Sequence, residues 1–153
     1  MCGLALAASL AIADLYGAGG AHAALTANPL LKEPLYVSIV TRAEALEAQA
    51  RAWRTPALKA AASPVALTGF PALKAEALEL SRLDMQGHVD LAARKSDGDL
   101  KCILKGISQD LPKKVALVEA ARTGAEQDAA LDELAYLLDD NAGVLRAPIK
   151  PPV

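Results

Sequence analysis

The spacing of apolar side chains along the chain predicts α-helices over most of its length. From Leu35 onward, apolar residues recur every three or four positions, which places them on one face of a helix. Tyr36 to Val40 alone would also fit a strand, but the continuation to Ala50 is rich in the strong helix formers Ala, Glu and Gln. The first helix is therefore predicted to bury Ile39, Ala43, Leu46, Ala50 and Trp53.

Prolines and glycines divide the middle of the chain into a short helix and a long one. Thr55 is placed to cap a short helix that begins at Pro56, and a longer helix is predicted to begin at Pro71. Gly87 leaves two interpretations open, because it can end the longer helix or be a weak point within it. The apolar positions are Leu73, Ala77, Leu80 and Leu83 before Gly87, and Val89, Leu91 and Ala92 after it.

Three further helices are predicted in the last third of the chain. The second of them is expected to begin at Asp110 with Pro112 in its first turn, and Thr123-Gly124 marks the break before the third. Asn141 and Gly143 are expected to end the third helix. The inner faces are Leu100, Ile103, Leu104, Ile107 and Leu111 in the first, Val115, Val118 and Ala121 in the second, and Leu131, Leu134, Ala135 and Leu138 in the third, with Asp128, Asp132 and Asp139 outside.

These patterns predict an all-α fold, an up-down bundle of four to five helices with short connections. The composition agrees, because 53% of the residues are hydrophobic but only 3% are aromatic, which suits closely packed helices better than a β-sandwich. The bundle is predicted to span residues 35–143. An apolar N-terminal segment with a lead loop precedes it at residues 1–34, and a proline-rich tail follows at residues 144–153.

The N-terminal segment allows two interpretations. Leu4 to Ala13 is apolar except for Ser9, and the small-x-small sequence Ala21-His22-Ala23 follows, as in a cleaved export signal. No basic residue precedes this run and Asp14 interrupts its end, which instead favours a short helix packed on the bundle. The run is too short for a membrane span, which needs about 20 apolar residues. The protein is accordingly expected to be exported, with a cytoplasmic location as the alternative.

The residues that usually carry chemistry are scarce. The net charge of −2 offers no surplus of basic groups for phosphates, so nucleic-acid binding is disfavoured. Cys2 and Cys102 allow one disulfide at most, and Cys102 is expected to be a small buried apolar residue. His22 and His88 are the only histidines, and His88 is expected to be solvated or hydrogen-bonded. No catalytic, cofactor-binding or metal-binding residue is predicted, and the protein is not expected to be an enzyme.

A local motif is similar to one in a family of signalling bundles. Cys102-Ile103-Leu104-Lys105-Gly106 resembles the H-x-x-K-G core of histidine-containing phosphotransfer domains, and Leu117 to Ala121 adds to the likeness. Cys102 stands where that family has its phosphorylated histidine. The resemblance therefore implies a degenerate phosphotransfer-type signalling bundle.

A looser resemblance covers more of the chain. The cleavage-like site, the proline-containing lead segment and the Ala/Leu-rich bundle together resemble the PsbQ-like extrinsic subunits on the lumenal side of photosystem II. The stretches 98–104, 111–114 and 131–136 are similar in layout to the later helices of those subunits. Membership would imply a cofactor-free protein of the thylakoid lumen that docks on membrane-embedded subunits and stabilises them.

The leading hypothesis from the sequence is a non-catalytic structural subunit that binds a larger protein complex. Its partner surface is expected near Trp53 or in the proline-rich tail, although a lone tryptophan under a loop is more often part of the core. Two alternatives stay open, the degenerate phosphotransfer bundle and a carrier for a small apolar ligand held between Ala-rich helices.

Overall fold

The computed structural model describes residues 28–95 and 98–147. These residues form five α-helices and no strand, which confirms the all-α prediction. A single 3-10 turn at Pro29–Lys32 precedes the first helix, as expected for a lead loop. The helices are α1 (Pro34–Trp53), α2 (Pro56–Ala60), α3 (Phe70–Ala93), α4 (Leu100–Ala120) and α5 (Gly124–Arg146).

The four long helices form a ring in the order α1, α3, α4, α5, and each is antiparallel to its two neighbours. This is the up-down bundle that short connections favour. Hydrogen bonds across the four seams agree with these directions. They join Tyr36 to Asp90 and Arg42 to Glu76 between α1 and α3, Lys74 to Glu119 and Ser81 to the Ser108 carbonyl between α3 and α4, Lys114 to Glu133 between α4 and α5, and Arg54, just after α1, to Asp128 on α5.

Local sequence accounts for where the helices begin. Thr55 caps α2 by accepting the N–H of Leu58 at 3.1 Å, as predicted, and Thr123 caps α5 by accepting the N–H of Glu126 at 3.1 Å. Gly69 precedes α3 with a φ of 85°, a left-handed conformation that glycine adopts without steric cost.

The core is built from the predicted apolar stripes. Leucines and alanines from all four long helices fill it, and Tyr36 is its one fully buried aromatic residue among those described. Ile103 on α4, predicted to face inward, is instead exposed, and so are Val89 and Ala92 of the apolar positions predicted on α3. The fully buried large apolar side chains are Tyr36, Ile39, Leu80, Leu104, Leu111, Val115, Leu131, Leu134, Leu138 and Leu145.

The predicted helix boundary at Asp110 is wrong, because α4 continues through Pro112 without interruption. Proline lacks the N–H that would bond the carbonyl of Ser108 four residues earlier. That carbonyl is satisfied from another helix, since the hydroxyl of Ser81 on α3 donates to it at 2.6 Å. The tertiary contact supplies the hydrogen bond that the proline removes, so the helix does not have to end.

The other two doubtful boundaries also lie inside helices. A Cβ at Gly87 would lie 3.0 Å from Leu104 Cδ1 and 3.4 Å from Tyr36 Cε1, so this glycine lets neighbouring helices approach rather than ending α3. The predicted end at Asn141 and Gly143 is wrong, because α5 continues to Arg146. Residues 148–153 of the predicted tail and residues 1–27 of the predicted N-terminal segment lie outside the described residues.

The chain ahead of α1 is attached to the end of α5. Asn28 is buried and its Nδ2 donates to the carbonyl of Leu145 at 2.9 Å, while its Oδ1 accepts the N–H of Leu30 at 3.1 Å. The amide therefore satisfies one of the carbonyls that the C-terminal turn of a helix leaves unpaired.

The role of Ser81 can be tested by a double-mutant cycle with Pro112. Ser81→Ala should destabilise the protein by about 1–3 kcal/mol, because it leaves the buried Ser108 carbonyl without a donor. In a Pro112→Ala background the cost should be smaller, since position 112 regains a backbone N–H for the same carbonyl. Urea unfolding of the four proteins measures the coupling, and an equal cost of Ser81→Ala in both backgrounds would contradict this account of the proline.

Candidate functional site

The connection between α1 and α3 is the most elaborate irregular segment among the described residues. We call residues 54–69, which include α2, the crossover; its helix α2 packs on the start of α5. Two backbone carbonyls approach Gly124 closely: the N–H of Gly124 donates to the carbonyl of Ala61 at 3.0 Å, and a Cβ at Gly124 would lie 1.9 Å from the carbonyl oxygen of Leu58. A side chain at position 124 would overlap the Leu58 carbonyl oxygen. The packing of α2 against α5 therefore requires glycine at this position.

Gln127 holds the extended part of the crossover. Its Oε1 accepts the N–H of Val65 at 2.9 Å, and its Nε2 donates to the carbonyl of Val65 at 3.0 Å. The amide thereby replaces a neighbouring strand, and the side chain of Gln127 is itself buried. These two bonds satisfy both backbone polar groups of Val65 within a segment that is neither helix nor sheet.

An apolar cleft opens between the end of α1 and the crossover. Its volume is about 370 Å³, and its walls include Trp53, Ala57, Leu58, Val65 and Leu67. The Trp53 ring is half-buried and packs at a tilt of 49° on Phe70, with 6.1 Å between ring centroids. Trp53 therefore combines the two roles predicted for it. Its ring packs on the bundle as a core residue would, and it also lines an open cleft as a partner-binding residue would.

A charged cleft lies on the other side of α2. Its volume is about 420 Å³ and its lining includes Arg51, Arg54, Lys59 and Asp128. The prediction that Asp128 faces solvent is wrong, because Arg54, the first residue of the crossover, covers it and bonds its Oδ1 at 3.1 Å. Arg54 also pairs with Asp132, which is exposed as predicted.

Two of the basic groups at this cleft lie at the solvent surface. Arg51 is exposed and pairs with Glu47 within its own helix at 2.5 Å, and Lys59 is exposed on α2. Exposed ion pairs of this kind contribute about 0–1 kcal/mol and are readily exchanged. The basic groups can therefore meet an incoming carboxylate beside the apolar cleft.

A polar pair occupies the interior of the bundle. Asn141 on α5 donates from Nδ2 to Asp84 Oδ2 on α3 at 2.9 Å, and both residues are 0% exposed. The Oδ1 atoms of both side chains are buried without a hydrogen-bond partner. Burial raises the pKa of Asp84 to about 8, against the opposing influence of the Asn141 hydrogen bond. Sequence reasoning missed Asp84, although its position one turn after Leu80 on the apolar stripe is a usable signal.

A second polar network joins the start of α1 to the end of α3. The hydroxyl of Tyr36 donates to Asp90 at 2.7 Å, and Arg94 pairs with Asp90 at 2.8 Å and with both carboxylate oxygens of Glu33 at 2.8 and 2.6 Å. Burial and the bond to Asp90 raise the pKa of Tyr36, while the Arg94 guanidinium lowers the pKa of Glu33. Tyr36 therefore stays protonated, and the network links the start of α1 to the end of α3.

The histidine and the cysteine of the described chain are separate from these features. His88 Nδ1 lies 2.7 Å from the carbonyl oxygen of Lys101, as expected for a hydrogen-bonded histidine, and the tautomer protonated at Nδ1 would donate there. Cys102 is exposed, so the prediction that it is buried is wrong; it faces away from the inward stripe of α4. Cys2 and His22 lie outside the described residues. In residues 28–95 and 98–147 no group of three or more His, Cys, Asp or Glu side chains could hold a metal ion.

Comparisons with known proteins assign no family to this chain. No protein-family model, curated protein or solved structure matches it. The described helices include none with the length and apolar character needed to cross a bilayer. Function therefore has to be inferred from the crossover, its two clefts and the interior polar pair.

Gly124→Ala should displace α2 and open the apolar cleft. The added methyl group would overlap a backbone carbonyl, which cannot rotate away as a side chain can. We expect a loss of about 2 kcal/mol or more in the free energy of unfolding. Trp53 is the chain's single tryptophan, so its fluorescence should report greater solvent exposure in the folded variant.

Gly143→Ala is the matched control, because this glycine lies in the same helix and a Cβ there would meet nothing within 4 Å. It should stabilise the protein by about 0.5–1 kcal/mol through helix propensity. If both variants change stability in the same direction, the packing role of Gly124 is wrong.

Proposed function

We propose that this protein is a non-catalytic interaction subunit that binds a protein partner through its crossover. The observation that carries the proposal is the fixed conformation of an irregular surface segment, which Gln127 and Gly124 hold in place. A surface that is ordered before binding loses little conformational entropy when the partner arrives. A connection needed only to join α1 to α3 would require no such anchoring.

The two clefts define the chemistry of the partner. The apolar cleft beside Trp53 fits a bulky apolar side chain, and tryptophan is enriched among residues that dominate binding energy. Lys59 and Arg51, on the other side of α2, suit a carboxylate. The partner segment expected here therefore combines an apolar anchor with acidic residues, and its binding should weaken as salt concentration rises.

The resemblance to PsbQ-like subunits suggests which complex contains the partner. The stretches that carry it lie in α4, α5 and the turn before α4, and the bundle observed for residues 34–146 is compatible with the fold that the resemblance implies. On this proposal the protein resides in the thylakoid lumen and docks on membrane-embedded photosystem subunits. Sequencing the N-terminus of the protein isolated from its source tests the location: a start near Ala24 would support export, and an intact Met1 would contradict it.

Val65→Asp should weaken partner binding at least about tenfold, because it places a charge in the apolar cleft and beside an acidic partner. The side chain of Val65 is 43% exposed, and its backbone bonds to Gln127 do not depend on side-chain identity, so folding should be retained. Binding can be measured by co-sedimentation with salt-washed, inside-out thylakoid vesicles, which present their lumenal face.

Val89→Asp is the matched control, since Val89 is 58% exposed and lies on α3 near the opposite end of the bundle. It makes the same chemical change and should leave binding intact. Equal binding by the two variants would exclude the crossover as the docking surface. If the unaltered protein does not sediment with the vesicles, the photosystem assignment is wrong.

A further inference from the structure

The Asp84–Asn141 pair joins helices at opposite corners of the ring. Asp84 is in the middle of α3 and Asn141 is near the end of α5, while α1 and α4 separate these two helices on either side. One turn before Asp84 the stripe contains Leu80, and on either side of Asn141 it contains Leu138 and Leu145, all fully buried. A polar contact here is surrounded by hydrocarbon rather than by water.

The pair lacks a hydrogen-bond donor for two of its oxygen atoms. The Asn141 amide supplies one hydrogen to Asp84 Oδ2, and the Oδ1 atoms of both residues are left as buried acceptors without a donor. An ionised carboxylate has no hydrogen to offer, so the ionised pair keeps both unsatisfied acceptors and an uncompensated charge. Protonated Asp84 carries no charge and gains an O–H that the amide oxygen of Asn141 can accept.

The charged groups around Asp84 do not stabilise its ionised form. On the facing stretch of α1, Tyr36 bonds to Asp90 and Arg42 pairs with Glu76. Among the other titratable groups on the neighbouring elements, Arg82 on α3 pairs with Glu79, and His88 on α3 meets the Lys101 carbonyl. On α4 Lys105 is exposed and Asp110 pairs with Lys113, and on α5 Asp139 and Asp140 are exposed. Burial raises the pKa of Asp84, and the hydrogen bond from Asn141 opposes this.

We propose that the Asp84–Asn141 pair is a proton-binding site that fixes α3 to α5 and makes the stability of the bundle depend on pH. The ligand of this site is a proton. When it binds, protonated Asp84 can donate a second hydrogen bond to the Asn141 amide. When the proton leaves, a bare carboxylate remains in the core, and the contact between the two helices loosens. This inference is independent of the crossover and of any partner.

The sign of the pH dependence follows from the raised pKa. Burial raises the pKa of Asp84 to about 8 in the folded protein, against 3.8 for an unperturbed aspartate, so the folded state binds this proton more tightly than the unfolded chain does. The stabilisation is complete below the unfolded value and is lost progressively as pH rises towards the folded value. Acidification therefore tightens the bundle within that window.

Urea unfolding from about pH 5 to about pH 9 tests the proposal on the full chain and on Asp84→Asn, whose amide has nearly the same shape and cannot ionise. The unfolding constant of the unaltered protein should increase relative to that of Asp84→Asn by up to about tenfold per pH unit below the folded pKa, and then level off. His88→Gln removes the histidine of the same helix and should retain this relative slope. Parallel profiles for the unaltered protein and Asp84→Asn would overturn the proposal.

Carbon NMR of the Asp84 carboxyl group in the unaltered protein provides a second measurement that does not depend on the folding of a variant. A titration midpoint near the raised value supports the proton site. A midpoint near about 4, the ordinary value for aspartate, overturns it, because a water molecule or a cation must then satisfy the two free oxygens.

Discussion

Polar groups buried in this bundle depend on hydrogen-bond partners from distant parts of the chain, because leucine and alanine side chains provide none; among the described residues, the Oδ1 atoms of Asp84 and Asn141 lack such a partner. Ser81 meets the carbonyl that Pro112 leaves unpaired, and Gln127 satisfies both backbone groups of Val65. Asn28 likewise donates a hydrogen bond to a backbone carbonyl in the last turn of α5. The two partners of each contact lie far apart in the sequence. Each contact therefore fixes the position of one element relative to another, and it also avoids the free-energy cost of an unsatisfied buried polar group.

The same constraint explains which features could be predicted from the sequence. The inward stripes of α1, α3 and α5 can be predicted from hydrophobic period alone, because the spacing of apolar residues along a helix shows which face is buried. The helix boundaries predicted at Asp110 and at Asn141 are wrong, because local propensity shows only where a helix can end. At Pro112 the helix continues with a hydrogen bond from Ser81, which lies 27 residues from Ser108 along the chain.

The candidate sites depend still more on tertiary placement. Trp53 could be chosen from the sequence as a partner-binding residue, but the cleft beside it exists only because Gly124 admits α2 and Gln127 holds the crossover. Arg54 similarly buries Asp128, a residue that helical periodicity alone puts on the outside. Asp84 could have been recognised as an acid within an apolar stripe, whereas its partner Asn141 is 57 residues away along the chain.

The bond between Asn28 and Leu145 brings the two ends of the described chain to the same end of the bundle. The crossover begins at the far end of α1, a helix of 20 residues, so about 30 Å separate the chain ends from the apolar cleft. An affinity tag, a fluorescent protein or a surface tether attached at residue 28 or 147 would consequently project away from the cleft. A peptide linker could likewise join residues 28 and 147 directly, which makes the described bundle a candidate for circular permutation with new ends opened between α4 and α5.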